Sequence, residues 1–63
     1  MTADHEVYFE FTAVGSAVKV AAIDAETGLE VAVMGPACAA RADLERLALQ
    51  KLKARLAKDA AAD

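Results

Sequence analysis

The sequence predicts an α+β domain: a three-stranded antiparallel β-meander followed by one C-terminal α-helix packed on one sheet face. Three observations carry this. Two turn signals, Gly15-Ser16 and Asp24 to Gly28, divide the front of the chain into three β-rich runs. Apolar residues recur with period two across those runs. After Gly35-Pro36 the composition changes to Ala, Leu, Arg, Lys, Glu and Gln, the strong helix formers.

The first strand places Val7, Phe9, Phe11 and Ala13 on one face and Tyr8, Glu10 and Thr12 on the other. Gly15-Ser16 then makes a two-residue loop of the II′ kind, in which Gly supplies the positive φ of the first central position. Folding about it pairs Ala13 with Val18, Phe11 with Val20 and Phe9 with Ala22, all on one face. A slip of one residue would mix the faces, so the register is well specified.

The second turn, Asp24-Ala25-Glu26-Thr27-Gly28, opens on an acid and closes on a glycine suited to a left-handed conformation. Pairing Ile23 with Glu30 sets Ala22 against Val31 and Val20 against Val33. The inner face then collects Val7, Phe9, Phe11, Ala13, Val18, Val20, Ala22, Leu29, Val31 and Val33.

Gly35-Pro36 ends the third strand, and proline suits the approach to a helix, which is expected from about Ala39 to Lys58. Asp43 and Glu45 lie early and Lys53, Arg55 and Lys58 late, as the helix dipole favours. Leu49, Leu52 and Leu56 form one stripe, Leu44 and Leu47 a neighbouring one, with Ala48 between. The apolar arc spans about 200°, more than the ~100° that one sheet face uses. The chain of 63 residues is one domain, with an ordered core expected over about 6–58 and frayed ends at 1–5 and 59–63.

The second strand, AVKVAAID at 17–24, raises a question of cover. It is apolar at nearly every position, Lys19 and Asp24 excepted. The outer face collects Tyr8, Glu10, Thr12, Ala17, Lys19, Ala21, Ile23, Glu30, Ala32 and Met34. Either this is plain exposed alanine, or the chain associates with itself. Self-association would stack the outer faces through Tyr8, Ala21, Ile23, Ala32 and Met34, or pair helices through Leu44 and Leu47. Size argues for it. A chain this short buries about 60% of its unfolded surface, and such a core seldom supplies more than about 3–5 kcal/mol without a staple. One cysteine excludes an internal disulfide. Cys38 and His5 alone are too few ligands for zinc, so no metal or cofactor is expected.

Single residues offer little chemistry. Cys38 stands near the helix start, where a dipole can activate a thiol, but no basic partner is placed beside it. His5 falls in the end expected to fray, beside Asp4 and Glu6, and is expected to be an incidental solvated histidine. Glu10 and Glu30 flanking Lys19 resemble an acid–base set, yet cross-strand ion pairing accounts for them. No enzyme activity is expected.

Charge is asymmetric. Residues 1–40 carry one lysine against six acids, net −5; residues 41–63 carry six basic against four acidic residues, net +2. The basic helix supports an alternative reading as a nucleic-acid-binding dimer using Arg46, Lys51, Lys53 and Arg55. Against it stand an acidic sheet and an overall charge of −3. The sequence shows no signal peptide pattern and no apolar run near the roughly 18 residues that span a bilayer. With a lone thiol, this points to a cytoplasmic protein.

From Glu6 to about Lys58, VYFEFTAVGSAVKVAAIDAETGLEVAVMGP leading into ARADLERLALQKLKARLAK resembles a family of short, uncharacterised bacterial proteins, a domain of unknown function. The resemblance implies the β-β-β-α layout and carries no activity. The expected role is a small non-enzymatic interaction or structural module. Its partner is another copy of itself, as a homodimer or larger homo-oligomer, or an unidentified protein.

Overall fold

The computed structural model describes residues 6–61, with side chains through Asp59. Three strands, β1 (Val7–Val14), β2 (Ala17–Asp24) and β3 (Glu30–Pro36), precede one helix, α1 (Arg41–Ala61). The sheet is antiparallel in the order β1-β2-β3, so β2 is central and the other two are edges. This is the expected α+β meander with a C-terminal helix.

Both registers follow the period-two pattern. Phe9 pairs with Ala22, Phe11 with Val20 and Ala13 with Val18. Ile23 pairs with Glu30, Ala22 with Val31 and Val20 with Val33. Gly15 has φ 62°, whereas Ser16, like every described non-glycine residue, has none in the positive region. That combination belongs to the II′ turn and matches the right-handed twist of the flanking strands.

The second turn is anchored by Asp24, which is completely buried. Its Oδ2 accepts from the Thr27 backbone N–H at 2.9 Å and from the Thr27 hydroxyl at 2.7 Å. Its carbonyl accepts from the Gly28 N–H, and Gly28 takes φ 79° to return the chain to Leu29. A buried carboxylate is tolerable because its oxygens are held by donors.

The core is Val20, Ala22 and Val31 from the sheet against Leu44, Ala48 and Leu52 from the helix. This corrects the expected helical face. The inward stripe is Leu44, Ala48 and Leu52, with Leu56 at its margin, while Leu49 is only half-buried. Leu44, expected on a free stripe, is 4% exposed. The reason lies at Gly35. A Cβ built there would stand 2.5 Å from Leu44 Cδ2, so the missing side chain is the socket into which Leu44 fits.

Three smaller differences accompany it. Pro36 ends β3 as expected, and the helix opens at Arg41, two residues past the expected Ala39, because Ala37 first extends the ladder by donating to the Ser16 carbonyl. Ala13, expected in the inner set, is exposed at the strand end. The helix continues through Ala61, past the expected end at Lys58, with Arg55 and Asp59 paired at 3.5 Å across its last turns. Residues 1–5, 62 and 63 lie outside the described residues.

Two outcomes check this packing. Leu52→Ala, at a fully buried position, is expected to cost about 2–5 kcal/mol. In a domain of this size that leaves a large unfolded fraction in a urea titration, whereas Leu47→Ala, with its side chain half-exposed, changes the midpoint little. Gly35→Ala drives a methyl into Leu44 and is expected to cost about 1–3 kcal/mol by the same titration.

Candidate interaction surface

The helix covers only part of the sheet. It packs on β2 and β3, and the inner face of β1 is left with thin cover. Phe9 and Phe11 touch the core yet remain half-buried. The Arg41 guanidinium stands over the Phe11 ring, 4.1 Å from its centroid. It shields the ring as a cation over a π face. No sequence signal pointed to this contact, because Arg41 and Phe11 are far apart in the chain and meet only through the helix placement.

The opposite face of the sheet has no covering element among the described residues. Paired positions place Tyr8 beside Ile23 and Glu30, Glu10 beside Ala21 and Ala32, Thr12 beside Lys19 and Met34, and Val14 beside Ala17 and Pro36. Tyr8, Val14 and Met34 are 53%, 50% and 56% exposed. Ile23 and Ala32 are half-buried. Ala21 is 1% exposed, so it forms the floor of this face and offers little surface of its own. Val14 was absent from the expected set; the same alternation reaches it if carried one step nearer the turn.

The charged residues of this face, Glu10, Lys19 and Glu30, are exposed. Among the described residues none of them is held in an ion pair. The second expected surface, the Leu44/Leu47 stripe, is divided: Leu44 is in the core and Leu47 is 52% exposed.

The basic residues do not gather. Arg46 pairs with Asp43 one turn earlier, and Arg55 with Asp59. Lys51 donates to the backbone carbonyl of Ala32 at 2.8 Å, which ties it to β3. On a helix with ~100° per residue, Arg46 and Lys53 lie on the side away from the sheet, and Lys51 and Arg55 lie toward it. Cys38 is exposed in the turn between β3 and α1. His5 lies outside the described residues. No group of three or more His, Cys, Asp or Glu converges among the described residues. No described helix is long and apolar enough to cross a membrane.

These features define a small two-layer α+β domain with one sheet face partly covered by a helix and the other without a covering element among the described residues. Residues 4–59 match a family described as a domain of unknown function, DUF6898, and the chain belongs to that family. No curated protein and no solved structure matches it.

Arg41→Ala is expected to cost about 0.5–1 kcal/mol in a urea titration, the range for a cation–π contact at an exposed site. Binding of an apolar dye to the folded chain should rise with it, since Phe11 loses its shield.

Proposed function

We propose that this domain is a small non-enzymatic interaction module that works as a self-associated unit, with the outer face of the sheet as its contact surface. One observation carries the reading. Of the four large apolar side chains that stand most exposed among the described residues, three, Tyr8, Val14 and Met34, share this one face. Surface apolar residues scattered singly need no explanation; these three share one face with Ile23, Ala17, Ala21 and Ala32, with Glu10, Thr12 and Lys19 interspersed, and that concentration supports a contact surface.

The floor between them is small. Ala17, Ala21 and Ala32 lie between the larger side chains, which allows a second sheet to approach at the usual spacing of about 10 Å. A second copy is the favoured partner because closed two-fold pairs are the commonest assembly, and because a core of this size gains most from one. The nucleic-acid reading has less support: Arg46 and Arg55 are already ion-paired, Lys51 is bound to β3, and phosphate tracking needs a coherent positive footprint. The proposed setting is cytoplasmic.

Light scattering on a sizing column is the test, on the native chain and on a Tyr8→Glu/Met34→Glu variant. Both positions are exposed, so the variant should keep the native circular dichroism. The native chain is expected at a multiple of 6.6 kDa, and the variant at half that mass or less. A native chain that runs as a monomer at millimolar concentration overturns the reading.

A further inference from the structure

We infer that the free edge of β1 is a strand-pairing site for β1 of a second copy, a surface distinct from the outer sheet face. The two edges of this sheet are finished differently. On β3 the Ala32 carbonyl, which points out of the ladder, is taken by Lys51. Pro36, on the same side of the strand by alternation, has no N–H to offer there. Lysine and proline are the usual means of blunting an edge. β1 reads VYFEFTAV over eight residues, with neither residue type. Its pairing with β2 runs unbroken from Val7 to Val14, so no bulge turns it away.

The hydrogen-bond pattern identifies the groups at that edge. Because the Ala32 carbonyl leaves the sheet, Ala21 opposite it directs its own N–H and C=O toward Glu10. Ala25 donating to the Glu6 carbonyl obeys the same alternation. Antiparallel ladders alternate, so Val7, Phe9, Phe11 and Ala13 present their N–H and C=O groups outward, away from β2. None of the four has a partner for them among the described residues.

The same residues project their side chains onto the inner face, where Phe9 and Phe11 are half-buried and the helix gives β1 little cover. Edge-facing residues can pair only with edge-facing residues. A two-fold axis perpendicular to the sheet therefore places the apolar inner side chains of the two copies side by side, whichever register is adopted. Registers centred on Phe9 or on Phe11 also keep Glu10 from opposing its own copy. The occupant that fits is an antiparallel strand carrying apolar residues at alternate positions, and β1 itself meets both conditions. The result is a continuous six-stranded sheet with a helix on each outer portion and the four phenylalanines between them.

Amide hydrogen exchange on the native chain at high and low protein concentration, read with its solution mass, tests this. The Tyr8 and Glu10 amides face β2 and should be protected at both concentrations. The Phe9 and Phe11 amides should exchange about 100-fold more slowly in the concentrated, assembled sample than in the dilute one. A second measurement uses a synthetic chain N-methylated at Phe9, which blocks the outward N–H while leaving the β1–β2 ladder and the side chain in place. Its mass should fall at least twofold with unchanged circular dichroism. Phe9 and Phe11 amides that exchange freely in an assembled native chain overturn the inference, and the outer-face reading then stands alone. So does an N-methylated chain of native mass, or a native chain that is monomeric throughout. In the Tyr8→Glu/Met34→Glu variant the β1 edge is intact, so the residual species should be a dimer with Phe9 and Phe11 protected.

Discussion

The seat of Leu44 on Gly35 orients everything that follows β3. A helix with apolar residues around half its circumference has several ways to lie on an apolar sheet. Gly35 removes that degeneracy. The absent Cβ leaves a hollow that Leu44 fills, with its Cδ2 standing 2.5 Å from where the missing atom would be. Once Leu44 is fixed, 3.6 residues per turn bring Ala48 and Leu52 to the same line. All three are buried. Ala48, the smallest, lets the helix come close to β2, where Val20 and Ala22 are fully buried.

That orientation has a consequence for cover. Anchored at Gly35 on an edge strand, the helix lies over β3 and β2 and gives little to β1. A single helix about 10 Å wide cannot shield three strands spaced ~4.8 Å apart. Phe9 and Phe11, the largest side chains of the inner face, are therefore left half-buried, with Arg41 over one ring. The sheet is thus underserved in two directions: outward through Tyr8, Val14 and Met34, and sideways along β1. In the proposed self-association both shortfalls are met by further copies of the chain, giving stacked sheets with helices on the outside.

Electrostatics fit this architecture more readily than a charged ligand. Three of the six basic residues of α1 are used locally, Arg46 and Arg55 in i,i+3 and i,i+4 pairs and Lys51 at the Ala32 carbonyl. Exposed pairs of that kind contribute little to stability. Among the described residues the one buried charge-bearing residue, Asp24, serves the turn, where Thr27 gives it both a backbone and a hydroxyl donor.

The strands, both turns and both registers were legible in the sequence because they rest on local rules. Alternation has period two, a slip inverts every side chain, and Gly15 and Gly28 stand where positive φ is needed. The outer face was legible for the same reason: Tyr8, Ile23, Ala32 and Met34 follow from the register, and Val14 would have followed one step further. The rotation of the helix was not legible. Leu44, Leu47, Leu49, Leu52 and Leu56 are chemically alike, and the choice among them depends on a hollow made by a residue nine positions away in another element. The partial burial of Phe9 and Phe11, the Arg41 contact, the burial of Leu44 and the reach of Lys51 to the Ala32 carbonyl all descend from that choice. Local sequence determined which faces exist; only tertiary packing decided which of them the helix would cover, because that depends on shape complementarity across elements.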